Sequence, residues 1–485
     1  MQYIIKNKFR IILAIAAFAA VPIFSGCGGS GVDSNYKVTL EIWGPFDDSN
    51  IYGEIIKEYK KINTHVGEIK YRKFSQDTYK QELVDALASG QGPDIFLVKN
   101  TWFPSFENKV YPAPEVFISQ QDIKNNFPDV VSFDFINDSN GVASIYAVPL
   151  SIDSMQLYYN KDMFNAVGII SPPKTWEEFQ EDVKILTNID EEGKIVRAGA
   201  AIGTAYNVNQ SKDLLSLLML QNGAQLPTKK GEFAKFDEGV VSSAGNLKEY
   251  KQAGEIALNF YTQFAKVNNS DGNSNVFYTW NPKQPNAVDA FAGGSVAMIA
   301  NYAWQNLNIK GKNPKLNYDV APIPQVDPNN PASIADYWGY TVSLNKVAPV
   351  APAGQPASTK PVSNDVRARE AWQFLRFLTL KNSGTVKLYN VVSGNTKDFP
   401  INFDPASNYL EKTSQPAARR DLIQEQKSDP FLGVFASGNL FAKSWYQKNP
   451  ESIDVIFSSM IETVNLGGAS LHDALILARN RVNGL

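Results

Sequence analysis

The order of hydrophobic periods between Val38 and Val98 constrains this chain more than any other feature. VTLEIW (Val38–Trp43) alternates apolar and polar residues, as a half-buried strand does. GPFDDSN follows as a turn-rich loop able to cap a helix, and Tyr52–Ile62 then has helical spacing. IKYRKF (Ile69–Phe74) returns to a strand period. TYKQELVDALASGQG (Thr78–Gly92) sets Leu83, Ala86 and Leu87 on one helical stripe and stops at Gly90 and Gly92. PDIFLV (Pro93–Val98) is a short apolar run of the kind found in buried parallel sheets. Strand, helix, strand, helix, strand is an α/β order.

At 485 residues the chain is too long for one core, because single cores stop growing near about 250–300 residues. More than one domain is expected. Further on, TWEEFQEDVKIL (Thr175–Leu186) begins with a Thr cap and acidic first-turn residues. DLLSLLMLQNGA (Asp213–Ala224) is apolar nearly all round and predicts a buried helix. DAFAGGSVAMIANYAW (Asp289–Trp304) reads as a helix end, a Gly-Gly break and a strand over Val296–Ala300. YDVAPIP (Tyr318–Pro324) and GYTVSLN (Gly339–Asn345) read as strands, and EAWQFLRFLTL (Glu370–Leu380) as a helix. The Pro-, Ala- and Ser-rich stretch Val347–Asn364 is expected to be an exposed loop. Ile453, Ile456, Phe457, Met460, Ile461 and Val464 form a helical stripe near the end.

The first residues read as a leader. Lys6, Lys8 and Arg10 precede an apolar run, Ile11–Phe24, too short to span a membrane as a mature helix. The FSGC that follows resembles a bacterial lipobox, with Phe24 where Leu is usual and Cys27 as the lipidated residue. Residues 1–26 are then a lipoprotein signal peptide and 27–36 a Gly- and Ser-rich tether. This predicts a soluble body anchored by lipid on the outer side of the cell membrane. Without the leader the chain carries 43 Lys and Arg against 49 Asp and Glu, a mildly acidic balance that argues against a nucleic-acid partner.

The chemistry-bearing motifs are few. His65 lies in a turn after a helix and His472 beside Asp473; both are expected to be solvated, and no HExxH exists. No G-x-S-x-G elbow, P-loop or G-x-G-x-x-G after a strand is present. Cys27 is the only cysteine, which excludes an intramolecular disulfide and a cysteine metal site. IDEEGK (Ile189–Lys194) reads as a hairpin turn rather than a calcium loop. Tyr158 and Tyr159 are neighbours on a strand, point to opposite faces and are not expected to share a metal. No cofactor, metal or catalytic residue is expected.

Four stretches in order carry a resemblance. They are LVDALASGQGPDIFLV; YAVPLSIDSMQLYYNKDMFNAVG followed by PPKTWEEF; FAGGSVAMIANYAW followed by YDVAPIP; and WGYTVS followed by AWQFLRFL. With the lipobox, the chain resembles extracellular solute-binding protein family 1, the sugar-binding proteins and lipoproteins of ABC importers, to which maltose-binding protein is related. The resemblance implies two α/β lobes of the type II periplasmic-binding-protein fold with a ligand cleft between them. It places lobe one at 37–150 and 318–390, and lobe two at 151–317 and 391–485. Hinges would lie at Pro149–Ser154, Asp319–Pro324 and Val391–Asn395. It also implies a monomer that captures a mono- or oligosaccharide and delivers it to the permease subunits of an importer. The same fold could instead hold a peptide, a polyamine or an organic phosphate, or serve a sensor.

Ligand residues are sought in loops after strand C-terminal ends. Trp43, Asp48 and Trp102 fit in lobe one, and Asp153 in the first crossing segment. Asn301, Tyr302 and Trp304 follow the Val296–Ala300 strand, and Trp338 and Tyr340 flank Gly339. Trp280 and Trp445 lie in loop-like sequence. Indole and phenol rings stack on the C–H face of a sugar, while Asp and Asn bond its hydroxyls. Trp176 and Trp372 lie on amphipathic helices and are assigned to packing.

Overall fold

The computed structural model describes residues 36–139, 142–244, 247–269, 271–347 and 362–485. Cys27, the leader and most of the Pro-rich stretch (348–361) lie outside them.

Two sheets organise the chain. In the first, the strands run Val66–Lys73, Val38–Gly44, Ile95–Lys99, Trp338–Ser343, Val110–Tyr111 across the sheet. Val38–Gly44 is parallel to both neighbours, as the alternation of strands and helices requires. Trp338–Ser343 comes from far along the chain and enters antiparallel to Ile95–Lys99. The short strand Val148–Pro149 pairs with it as well. One core surrounds this sheet, with Ile42, Phe96, Trp372 and Phe374 fully enclosed.

The second sheet has the order Asn188–Ile189, Ile195–Ala200, Val296–Asn301, Gln156–Asn160, Tyr318–Ala321. Its two faces carry separate cores. Leu157 enters one and Tyr158 the other, while Tyr159 packs back on the side of Leu157, so the pleat divides the two tyrosines. The helix Pro450–Asn465 packs its Ile453, Phe457, Met460 and Ile461 stripe into the first of these cores, with Asn449 accepting from the Ser452 N–H at its start. Thr175 caps Trp176–Leu186, and Gly223, at φ 85°, ends Ser211–Asn222. Asn188–Ile189 pairs antiparallel with Ile195–Ala200 across the IDEEGK turn.

The sheets are joined by a three-stranded ladder of Asp153–Ser154, Ser333–Asp336 and Ala442–Lys443. Around each strand the buried residues change core, between Ile152 and Met155, Ile334 and Ala335, and Ala442 and Trp445. Asp153–Ser154 ends the segment Pro149–Ser154 that the sequence offers as a hinge. Tyr318–Ala321, expected to open lobe one's second segment, is instead hydrogen-bonded to Gln156–Asn160 in the second sheet. Val391–Asn395 is the turn of the hairpin Thr385–Tyr389 and Thr396–Pro400, which packs on the first core.

Candidate functional site

The site is built where both sheets meet the hinge ladder. On the lobe-one side, Lys99 ends its strand opposite Trp338. Its ammonium meets the Asp336 carboxylate at 2.9 Å. Trp102 lies in the next turn, part-buried and edge-on to Trp338, with ring centres 4.9 Å apart. Phe46 packs edge-on to Trp338 at 5.2 Å. The Lys80 ammonium stands 4.9 Å over the Trp102 ring.

On the other side, Asp153 of the ladder accepts from the backbone N–H of Ala303 at 3.0 Å and of Trp304 at 3.3 Å. It thereby fixes the loop after Val296–Asn301, whose Trp304 is 47% exposed. Burial pushes the Asp153 carboxyl up to about 8; its cross-strand partner Asp336 adds to this, and the Ala303 and Trp304 N–H groups oppose it. Tyr302 is enclosed and donates its hydroxyl to Asp213 at 2.9 Å. Lys212 lies 3.1 Å from Asp213. Burial opposes ionisation of Asp213, yet Lys212 and Lys99, with the Tyr302 hydroxyl, hold its carboxyl below the usual range.

Lys99, Lys212, Asp213, Asp336, Trp445 and Gln447 contribute to the walls of a cavity of about 10 Å³ over the ladder. That is room for about one water molecule, whereas ligand sites are typically ~300 Å³ or more. Farther out, Lys80 of lobe one reaches Glu451 of lobe two at 2.5 Å.

The structure brings Trp102, Asp153, Tyr302, Trp304, Trp338 and Trp445 to this junction. Of these, Tyr302 and Trp445 are enclosed, and Trp445 stacks on Phe457. Asn301 is enclosed too; its side-chain oxygen accepts from the Tyr302 N–H. Other candidates lie elsewhere. Trp43 is still inside its strand, packed on Phe74 with its indole N–H on Glu41. Tyr340 points into the lobe-one core, where its hydroxyl meets that of Tyr52 at 2.5 Å. Trp280 is fully enclosed in the lobe-two core. Asp48 is exposed and paired with Lys73 at 2.9 Å. Its neighbour Asp47 is the buried one, accepting from Tyr52 and Tyr409. His65 is not free in solvent: it stacks on Tyr36 at 4.3 Å.

Residues missed from sequence are Phe46, Lys80, Lys99, Lys212, Asp213 and Asp336. Asp134 belongs with them: burial pushes it up to about 6, and it accepts from Tyr337 at 2.8 Å and Asn100 at 3.1 Å. Lys99 had a readable signal, since it directly follows the apolar run PDIFLV. Tyr206, 78% exposed, sits in the loop after Ile195–Ala200, the parallel neighbour of the strand that leads to Trp304.

Residues 45–383 match the family described as bacterial extracellular solute-binding protein. The chain belongs to that family. This solute-binding protein is 24% identical over 379 residues to the multiple sugar-binding protein of Streptococcus mutans, covering 76% of this chain and 77% of that one. It is 21% identical over 324 residues to the diacetylchitobiose binding protein of Streptomyces coelicolor, covering 64% and 68%. Among solved structures it resembles the cyclic α-maltosyl-1,6-maltose binding protein of Arthrobacter globiformis, with TM-score 0.67, 16% identity and coverage of 92% and 98%. A solute-binding protein of Thermotoga lettingae bound to α-D-tagatose matches with TM-score 0.59 and 22% identity, over 92% and 99%. The two-lobed fold and an extracytoplasmic, non-catalytic role in solute capture follow from the family.

Proposed function

We propose that this solute-binding protein captures a mono- or oligosaccharide between its lobes and hands it to an ABC importer permease. The carrying observation is the set of indoles held on either side of the hinge: Trp102 and Trp338 on one lobe, Trp304 on the other. Rings so placed stack on sugar C–H faces, and the Asp and Lys groups between them bond hydroxyls. Parting the lobes exposes these groups; closing on a sugar favours the closed state by the sugar's higher affinity for it. The sugars bound by the relatives agree with this reading. The protein acts as a monomer, anchored by lipid on Cys27, and Cys27→Ala is expected to move it from the membrane fraction to the medium.

A thermal-shift screen of saccharides, amino acids and polyamines tests the ligand class. A bound sugar at a hundredfold excess over its Kd stabilises by about 2.7 kcal/mol. A rise in Tm with an amino acid or polyamine, and with no saccharide, would refute the proposal.

A further inference from the structure

Resting on the saccharide reading, we infer that the cleft floor selects an uncharged sugar and rejects uronic, sulfated and phosphorylated ones. The groups on the floor answer one another. Lys99 is paired with Asp336 and Lys212 with Asp213, at 2.9 and 3.1 Å. The Asp213 and Lys212 side chains are only 11% and 13% exposed, so solvent screens them little. Farther out, Glu451 of the helix Pro450–Asn465 adds a third carboxylate. Lys80 adds one ammonium through Glu451. Three carboxylates thus stand paired with three ammonium groups.

An anionic ligand would have to break one of these pairs to reach its ammonium group. A buried charge without a partner is costly. A cationic sugar would have to approach Lys99 and Lys212. A hydroxyl has neither difficulty, because it donates to a carboxylate and accepts from an ammonium without separating the pair. Trp445 adds an independent observation. Its indole N–H is buried without a hydrogen-bond partner, and the residue lines the cavity beside these ion pairs. It calls for an acceptor of about the size of one hydroxyl group.

The test is calorimetric titration of the full-length mature protein with trisaccharides of three kinds. Maltotriose, cellotriose, xylotriose and mannotriose are uncharged, tri-galacturonic acid is acidic, and the glucosamine trimer is basic. At least one uncharged trisaccharide is expected to bind, with a Kd unchanged between 50 and 500 mM salt. The acidic one is expected to be at least 100-fold weaker. Asp213→Asn, which leaves Lys212 unpaired, should narrow that gap at least tenfold; Asp336→Asn, which frees Lys99, serves if the first variant does not fold. Tighter binding of the acidic or the basic trimer than of every uncharged one overturns the inference and leaves the saccharide reading standing. An unchanged gap in a folded Asp213→Asn protein also overturns it. Binding of a polyamine or amino acid with no saccharide bound overturns both.

Discussion

Asp153→Ala and Asp153→Asn, compared at two pH values, separate the two roles of the hinge carboxylate. In the native protein Asp153 holds the N–H groups of Ala303 and Trp304. Ala303 is buried, so its N–H in the alanine variant has neither carboxylate nor water, at a cost of about 1–3 kcal/mol. The Trp304 residue is half-exposed, and water replaces its bond at little cost. Asp153→Ala is therefore expected to destabilise by about 1–3 kcal/mol. Asparagine keeps an acceptor for Ala303 and should cost ~1 kcal/mol or less near pH 6. The pH dependence has a definite sign. Folding raises this carboxyl to about 8, while the unfolded chain loses the proton near pH 4. Between those values the native state holds more protons, so this group's contribution to stability declines as pH rises, until about pH 8. Asp153→Asn removes that decline. Urea denaturation at pH 6 and pH 9 measures it: the asparagine variant should gain on the wild type at pH 9 and lie level with it or below at pH 6. A wild type that gains on Asp153→Asn as pH rises, or an alanine variant no weaker than the asparagine one, would refute the reasoning.

Three further outcomes are expected. Trp304→Ala or Trp102→Ala should raise the Kd for the identified sugar about thirtyfold, the scale of a ~2 kcal/mol anchor, with little change in Tm because both rings are partly solvated; calorimetry decides. Arg367→Ala leaves the enclosed Asp94 with Lys346 and the Glu41 N–H as its remaining partners, and should cost about 3 kcal/mol in urea denaturation. Gly254→Ala would set a methyl group 1.9 Å from the Phe236 carbonyl oxygen, so the helix Ala253–Gln263 must shift; a loss of about 1–3 kcal/mol is expected from the thermal midpoint.

The strands and helices were legible because their periods are local. Leu83, the PDIFLV run and the Ile453–Val464 stripe announce their elements without any partner. Sheet membership is not local. Tyr318–Ala321 has a strand pattern in either lobe, and only its pairing with Gln156–Asn160 assigns it to the second. The hairpin around Val391–Asn395 is the same case: its strand pairing and its packing on the first core, neither of them local, assign it. At the candidate site, position after a strand end pointed to Trp102, part-buried in a turn, and to the exposed Trp304. It could not tell Asp48 from Asp47, because Asp47 owes its burial to Tyr409, far away in sequence. Asp213 looked like the polar start of a buried helix; that it answers Tyr302 and Lys212 depends on how the lobe packs.

Among the described residues the chain runs through the ladder three times, an odd number. Tyr36 accordingly belongs to the lobe-one core, and the helix Leu471–Asn483 to lobe two. A rotation of one core against the other about the ladder is expected to change the separation between residues 36 and 485. A donor fluorophore near residue 36 and an acceptor near residue 485 would thus report opening directly, with no label in the cleft. In a protein with an even number of crossings both labels would ride on one lobe, and the same pair would be silent.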